Sequence, residues 1–251
     1  MRRWRFAYRL AAVAALGAML AAGGFLVAAS GIIPIKASDG HWAITAWILN
    51  FSMRRSVATH TMGMKLPSLD HPWMVLKGAG HYDLGCRPCH GGPDLRLPRI
   101  PAAMTPHPPH LPPIVRESDA ESLFYVVKHG IKFTGMPAWS AQQRDDEVHA
   151  VVAFMLELPN LDAESYRRLV DGDDAVAPLV DPSRELDVPR AVRANCARCH
   201  GVHGRGRELP SFPKLAGQRR DYLLQTMDAY ASGDRPSGIM GPIAALLGSG
   251  D

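Results

Sequence analysis

The four cysteines of the 251-residue chain fall into two copies of one short pattern, C-x-x-C-H. The copies occupy residues 86–90 and 196–200, and a glycine follows each histidine. Two thiols about one helical turn apart can form thioethers with the two vinyl groups of a single porphyrin, and the histidine after them is then held under the iron. The spacing therefore predicts two covalently attached haem c groups. The residues that would hold them are Cys86, Cys89, His90, Cys196, Cys199 and His200.

Two other chemistries use paired cysteines. A single Cys₄ zinc site would combine both pairs, but the pairs stand 110 residues apart and zinc requires no histidine after each second cysteine. A thioredoxin-like dithiol belongs in a βαβ unit, and the sequence shows no such alternation of strand and helix patterns. Haem attachment is the interpretation that uses every cysteine and both histidines.

A haem iron of this kind takes a sixth ligand, usually methionine or histidine. Met136 lies 46 residues after His90, between Gly135 and Pro137, which favour an extended loop over a helix. Met240 lies 40 residues after His200, again in a stretch bracketed by glycine and proline. We predict Met136 and Met240 as the sixth ligands of the first and second iron.

Other methionines and histidines compete for this role. Met155 and Met227 stand on apolar helical stripes and are better explained as core residues. Met104, in a proline-rich loop, is a weaker alternative for the first iron, and His107 and His110 are the next candidates there. The other histidines are interpreted mostly as surface or capping residues: His41, His60, His71, His81, His129, His149 and His203.

These sites need an exported chain, and the amino terminus provides a membrane signal. Four arginines within the first nine residues precede a run of 26 residues, Leu10 to Ile35, without a charged side chain. Such a run is long enough to cross a bilayer as a helix, with its arginine end in the cytoplasm. The expected location is the inner (cytoplasmic) membrane, with the haem domains on the periplasmic side. The alternative is a signal peptide cleaved near Ala28-Ala29-Ser30, which would release a soluble periplasmic protein.

The charges are distributed unevenly along the chain. The net charge is +4, yet residues 1–80 carry nine basic and two acidic side chains, and residues 159–189 carry three basic and eight acidic ones. The basic character thus comes mainly from the amino-terminal part rather than from a stripe across a folded face. This distribution argues against nucleic acid as a partner.

An amphipathic segment follows the apolar run. Its apolar positions repeat at i, i+3, i+4 and i+7, and Arg54 and Arg55 follow them. Such a helix can lie in the membrane interface. Equally, it can pack on the soluble domain or on a membrane subunit of a partner. The apolar face consists of Ile44, Trp47, Ile48 and Phe51.

The two halves repeat the same order of motif, loop, helix and methionine-bearing loop. In the first half, a Ser118–Glu121 capping box begins a helix that Gly130 ends, and residues 145–158 form another. In the second half, the matching helix runs over 219–231. The segment 93–113 holds eight of the 21 prolines, so we expect an extended wrap around the first haem. One of its proline carbonyls could accept a hydrogen bond from His90 Nδ1–H.

The chain is therefore divided into five segments. Residues 1–38 are the signal or transmembrane anchor, 39–80 the amphipathic connecting segment, and 81–158 the first haem domain. Residues 159–189 are acidic and are interpreted as a linker. Residues 190–251 form the second haem domain. The linker contains Pro178, Pro182 and Pro189.

Taken together, these motifs resemble the class I cytochromes c in a two-haem arrangement. The second half looks like one domain of the di-haem cytochrome c-four type, through C-x-x-C-H-G at 196–201, Phe-Pro-Lys-Leu-Ala-Gly-Gln at 212–218, Tyr222-Leu223, Ser-Gly-x-Arg at 232–235, and Met240. The first half resembles, less closely, single-haem domains with a Gly-Met-Pro loop. The resemblance covers about residues 81–251. It implies an all-α fold, with two haem domains after an amino-terminal transmembrane helix, His/Met ligation and exported electron carriage.

The second half departs from the family pattern. The family closes each domain with a final helix, which residues 145–158 supply in the first half. After Met240 only eleven residues follow, so we expect the closing helix to be missing and the second haem to be less firmly held.

The function that this implies is electron transfer rather than catalysis. Methionine ligation raises the potential of the iron, which suits the high-potential end of a respiratory chain. The expected redox partners are a quinol-oxidising complex or dehydrogenase as donor and a terminal oxidase as acceptor. Two alternatives are a di-haem peroxidase, which would need one open iron position, and a fixed cytochrome subunit of a dehydrogenase or oxidase complex.

Overall fold

The computed structural model describes residues 2–171, 192, 195–201, 203–206 and 212–247. The chain divides into two compact units, Met1–Gly40 and His41–Asp251. Across the described ranges the regular structure is helical, with an isolated bridge between Gly92 and Leu95 and no strand. The all-α prediction is confirmed.

The first unit contains the helix α1, Arg2–Ala29, and a short 3₁₀ turn, Ala37–Asp39. The side chains of α1 from Trp4 onward are exposed, and the stretch Trp4–Ala29 is long and apolar enough to cross a membrane. A signal sequence has the same properties. The apolar helix expected at the amino terminus is therefore present.

The second unit contains the remaining helices that the structure describes. The first of them correspond to the amphipathic segment and the first haem domain: α2 Ala43–His60, α3 Pro72–Gly85, α4 Arg87–His90, α5 Arg99–Ala102, α6 Leu111–Arg116, α7 Ala120–His129 and α8 Asp145–Glu157. A 3₁₀ turn, Leu158–Asn160, follows. The others are α9 Ala163–Asp171, α10 Ala197–His200, α11 Arg220–Ser232 and α12 Met240–Leu247.

The crossing of α3 and α8 forms the centre of the first haem domain. At the crossing point Gly78 lies against α8, and a Cβ on Gly78 would overlap the carbonyl group of Ala150. The two backbones approach this closely only because the position is glycine. The core around the crossing includes Tyr82, Leu123, Phe124, Val148, Val151, Val152, Phe154 and Leu158.

Two local expectations in the first domain differ from the structure. The residue that caps α7 is Asp119, whose side chain accepts from Ser122 N at 2.7 Å, whereas Ser118 Oγ donates to the Ile114 carbonyl. The proline-rich segment is not extended throughout, because it contains α5 and the start of α6. Proline is tolerated in a first helical turn, where its missing N–H needs no partner.

The first part of the segment interpreted as a linker is folded. Helix α9 packs on α3, with Tyr166 and Val170 buried. Tyr166 Oη donates to Asp83 Oδ1 at 2.8 Å. The sequence basis is an apolar stripe at helical spacing, which the acidic composition of the segment obscures. Residues 172–189, with the three prolines of the linker, lie outside the described residues.

A short helix follows the second methionine, which differs from the expectation that no closing helix is present. Helix α12 begins at Met240 and packs on α11, with Ile243 and Ala244 buried. Within the second unit, α3 also contributes to the second haem domain. A Cβ on Gly80 would lie 3.3 Å from Phe212 Cζ and 3.6 Å from Cys199 Sγ. Phe212 and Cys199 of the second half therefore lie beside α3.

Candidate haem sites

The first C-x-x-C-H motif forms a single helical turn at the end of α3. Cys86 N donates to the Tyr82 carbonyl at 2.8 Å, which continues the helix into the motif. Cys89 N and His90 N then donate to the Cys86 carbonyl at 3.0 and 2.8 Å. Cys86 packs against the core, and burial raises the pKa of its thiol to about 12. The two thiols and the imidazole are therefore presented from one rigid turn.

The imidazole of His90 is held through its Nδ1 atom, 3.0 Å from the Pro109 carbonyl oxygen. A carbonyl accepts only, so Nδ1 carries the proton and Nε2 keeps its lone pair for a metal. Burial lowers the pKa of His90, which favours the neutral ring that a metal needs. The expectation that a proline carbonyl fixes this tautomer is confirmed, and the residue is Pro109.

The second motif repeats the first in detail. Cys86 and Cys196 have the same backbone angles, φ −109° and ψ −40°, and His200 N donates to the Cys196 carbonyl at 2.9 Å. His200 Nδ1 lies 2.8 Å from the carbonyl oxygen of Pro213. Sequence reasoning did not predict this second contact, although Pro213 belongs to the motif that carries the resemblance.

Glycine is required directly after the first histidine. Gly91 has φ 71°, and a Cβ there would lie 2.5 Å from the Leu95 carbonyl oxygen. Gly201 has φ 78° in the second motif. Both positions turn the chain into the loop that returns a proline carbonyl to the imidazole.

Met136 stands on a loop with internal hydrogen bonds. Thr134 Oγ1 accepts from Met136 N at 3.1 Å, and the Met136 carbonyl accepts from Ile131 N at 3.2 Å. Gly130, with φ 65°, lies against this loop, since a Cβ on it would lie 2.6 Å from the Pro137 carbonyl carbon. The loop is therefore rigid, as its glycine and proline content predicts. Ligation of the first iron by Met136 stays a prediction.

Met240 is the first residue of α12 and is half-buried. Ser237 Oγ accepts from Met240 N at 3.1 Å and from Ile239 N at 3.3 Å, which caps the turn that leads into the helix. Ligation of the second iron by Met240 also stays a prediction.

The competing residues are placed differently. Met155 is buried in the core, as interpreted. The side chain of Met104 reaches Gly135, where a Cβ would overlap its methyl group, so Met104 lies beside the Met136 loop. His107 and His110 are exposed, and His110 is the residue that precedes α6.

His81 does not fit the interpretation as a surface or capping histidine. It is 7% exposed on α3, and neither ring nitrogen has a hydrogen-bond partner. Burial, together with the positive charges of Lys77 and Arg144, lowers its pKa to about 3. The sequence signal was its helical spacing from Met74 and Gly78, which marks the buried face of α3.

The residues present fit haem c better than zinc. Over the part of the chain that the structure describes, which includes all four cysteines, no group of three or more His, Cys, Asp or Glu side chains is arranged to hold a metal ion. Each motif instead offers two thiols on one turn and an imidazole whose Nδ1 is already engaged. That donor set suits covalent attachment of a porphyrin with axial histidine ligation.

Two family models match the chain. Residues 74–155 match the family described as cytochrome c oxidase, cbb3-type, subunit III, and residues 189–247 match the cytochrome c family. Each match spans one C-x-x-C-H motif and its methionine loop. The amino-terminal segment lies outside both matches.

Several known proteins are similar to parts of the chain. Cytochrome c-554(548) of Halomonas halodenitrificans is 39% identical over 59 residues, 22% of this chain and 70% of that protein. Cytochrome c4 of Thiocapsa roseopersicina is 30% identical over 107 residues, 41% of this chain and 52% of that protein. The thiosulfate dehydrogenase electron acceptor of Stutzerimonas stutzeri is 44% identical over 52 residues, 21% of this chain and 24% of that protein.

These similarities are partial. The chain spans 24%, 62% and 31% of the length of the first three relatives that it matches. No solved structure matches the chain.

An all-helical fold with two C-x-x-C-H turns, each with its imidazole fixed by a proline carbonyl, defines an electron-carrying haem protein. The chain belongs to the class I c-type cytochromes, in a di-haem arrangement with two covalently bound haem c groups.

Proposed function

We propose that this di-haem cytochrome is anchored in the inner membrane and carries electrons on the periplasmic side between respiratory redox partners, toward a terminal oxidase. The observation that carries the proposal is the duplication of one ligand geometry within a single folded unit. When bound, haem supplies the one-electron chemistry. The protein supplies attachment, orientation and tuning of the potential.

The proposed axial pairs are His90 with Met136 and His200 with Met240. A thioether ligand raises the potential relative to a second imidazole, which suits the high-potential end of a chain. The rigid turns and loops around these residues favour the same ligand positions in both oxidation states. Little reorganisation is then needed when an electron arrives or leaves.

Membrane attachment is proposed to use α1 as the anchor and α2 as an interfacial helix. The apolar face of α2 is exposed: Ile44 is 61% exposed, Trp47 62%, Ile48 48% and Phe51 54%. Packing of this face on the soluble domain, one of the sequence-based alternatives, is therefore wrong. A bilayer interface suits the face because tryptophan prefers the headgroup level and Arg54 and Arg55 attract anionic lipid.

A second candidate is a fixed cytochrome subunit of a larger complex. It is favoured by the match of residues 74–155 to the family described as subunit III of a cbb3-type oxidase. A dehydrogenase as electron donor is supported by the relatives named thiosulfate dehydrogenase electron acceptors. In this candidate the exposed face of α2 would contact a membrane subunit instead of lipid.

The two candidates differ in what accompanies the protein out of the membrane. Mild detergent extraction and affinity purification should yield the cytochrome alone if it is a carrier. The purified protein should then restore quinol-dependent oxygen uptake to membranes that lack it. Stoichiometric co-purification with oxidase or dehydrogenase subunits would contradict the carrier proposal and favour the subunit.

A further inference from the structure

The loops that carry Met136 and Met240 meet at one buried carboxylate. Glu147 stands in the first turn of α8, and its side chain is only 3% exposed. Its Oε2 atom accepts from Trp139 Nε1 at 3.0 Å, and Trp139 follows Met136 by three residues on the same loop. One oxygen of Glu147 is thus bonded to the first methionine loop.

The same carboxylate is bonded to the second methionine loop. Gly238 N donates to Oε2 at 2.6 Å, and Ser237 Oγ donates to Oε1 at 2.8 Å. Ser237 Oγ in turn accepts from Met240 N. Two consecutive hydrogen bonds therefore lead from Glu147 to the backbone of Met240.

Neighbouring contacts leave little room for the two loops to move apart. A Cβ on Gly238 would overlap the indole ring of Trp139. Arg144 pairs with Glu147 at 3.2 Å and donates to the Pro236 carbonyl at 2.8 Å. Ser140 Oγ donates to the Gly238 carbonyl at 3.1 Å. Both sides of the contact are thus hydrogen-bonded to each other as well as to Glu147.

A buried charge with several donors is costly to disturb, because each donor that loses it is left unsatisfied away from water. The donors here lie on two different loops, each a few residues from a predicted iron ligand. A movement of either loop would therefore strain the carboxylate that also holds the other.

We propose that Glu147 is a positioning residue for both haem sites, linking the Met136 loop and the Met240 loop so that one carboxylate sets both thioether ligands. This rests on the proposed methionine ligation. Its consequence is that the two haem sites are coupled: a change of ligand geometry at one iron is transmitted to the other through Glu147.

The test uses the intact di-haem protein and the variant Glu147→Gln. An amide nitrogen donates and cannot accept, so either orientation of Gln sets an NH₂ group against a donor. The readout is proton NMR of the reduced protein, in which the porphyrin ring current moves the methyl signal of each iron-bound methionine far upfield. Met136→Ala and Met240→Ala assign the two signals.

We expect Glu147→Gln to shift or broaden both methyl signals and to weaken the far-red charge-transfer band of the oxidised protein. Ser237→Ala should alter the Met240 signal, and Trp139→Phe should alter the Met136 signal. Each variant removes a hydrogen bond between that methionine loop and Glu147. The matched control is Glu157→Gln, an exposed carboxylate at the other end of α8, which should alter neither signal.

A Glu147→Gln protein in which one or both signals are unchanged would overturn the proposal. If that variant does not fold, an unchanged Met240 signal in Ser237→Ala overturns it instead. Absence of both upfield signals from the unaltered protein would contradict the methionine ligation itself, which separates failure of that proposal from failure of this one.

Discussion

The predicted axial histidines are held in the same way in both halves, by a proline carbonyl bonded to Nδ1. This contact sets the tautomer and the ring orientation, and it strengthens the donor character of Nε2. The sixth ligand is the remaining variable at each site. The potential of each iron should therefore respond mainly to the identity of that ligand.

Replacement of Met136 by histidine tests the first site. Met136→His should keep a six-coordinate haem and lower its potential, because imidazole stabilises Fe(III) more than a thioether does. A spectroscopic redox titration of each haem measures the effect, with the unaltered protein as the reference. An unchanged first potential would indicate another ligand, and Met104, His107 and His110 would be examined next.

The buried side chain of His81 should make the stability of the folded protein sensitive to acid. Its pKa is about 3 in the folded protein, against an ordinary value of 6.5, because of burial and the charges of Lys77 and Arg144, opposed by Asp146. The folded state therefore binds fewer protons than the unfolded chain. The contribution of His81 to the free energy of unfolding is therefore complete above about pH 6.5. It is lost as the pH falls toward 3, to a total of up to about 5 kcal/mol.

The variant His81→Phe isolates this contribution. We expect its free energy of unfolding to fall less steeply between pH 6.5 and pH 4 than that of the unaltered protein. Denaturant titrations at several pH values measure the difference, and the carboxylates contribute equally to both proteins. Parallel curves would show that His81 does not titrate in this way.

Residue types and spacing were sufficient to predict two covalently bound haem c groups, which the family matches support, but not every contact around the two motifs. The C-x-x-C-H pattern is local, so its chemistry can be read without knowing the fold. Pro109 stands 19 residues from its partner His90 in the sequence. Glu147 stands 90 residues from its partner Ser237, so both contacts depend on the fold. In sequence, Glu147 looks like one of three acids that begin a helix, and only the packing distinguishes it.

At the scale of elements, the crossing of α3 and α8 determines where the first motif is placed. Helix α3 ends at Gly85, directly before Cys86, so the position of the thiols follows from how α3 packs. Gly78 lies where the two helices are closest, and its missing side chain permits that distance. The same helix brings Gly80 against Phe212 of the second haem domain.

A methyl group at Gly78 should separate the two helices. Gly78→Ala would overlap the backbone of Ala150, and overpacking of this kind costs about 1–3 kcal/mol or more. Gly85→Ala on the same helix is the matched control, since a Cβ there has no atom within 4 Å. Denaturant unfolding of both variants measures the difference, and equal stabilities would contradict the close crossing.

The helices of the first domain were largely predictable, and the errors have physical causes. Apolar positions at helical spacing and the glycine at 130 correctly indicated α7 and α8. The capping residue was misplaced by one, because Ser118 and Asp119 are both good caps and only the side-chain geometry decides between them. Helix α9 was missed because its buried stripe stands within an acidic segment, where composition suggests a solvated linker.

At the scale of the whole molecule, two segments bear on membrane attachment. Removal of residues 1–35 behind a cleavable signal should yield a periplasmic protein that retains both haems. We expect residual binding of this protein to vesicles containing anionic phospholipid, through the apolar face of α2. The double change Trp47→Ser and Phe51→Ser should abolish that binding in a flotation assay.

The control for this experiment is Ile100→Ser, which removes an apolar side chain that is 85% exposed elsewhere on the second unit. It should leave vesicle binding unchanged. A native protein that is already soluble, with its amino terminus near Gly31, would show that α1 is a signal peptide. If the double variant binds vesicles as well as the truncated protein without these changes does, α2 does not bind the membrane interface.

The most direct test of the central claim is the number of haems that each chain carries. A pyridine haemochrome assay combined with the intact mass of the full-length protein should give two covalently bound haems per chain. Cys86→Ala and Cys196→Ala should each disrupt attachment at one site and leave the other. A purified chain that carries no haem and binds zinc instead would contradict the account.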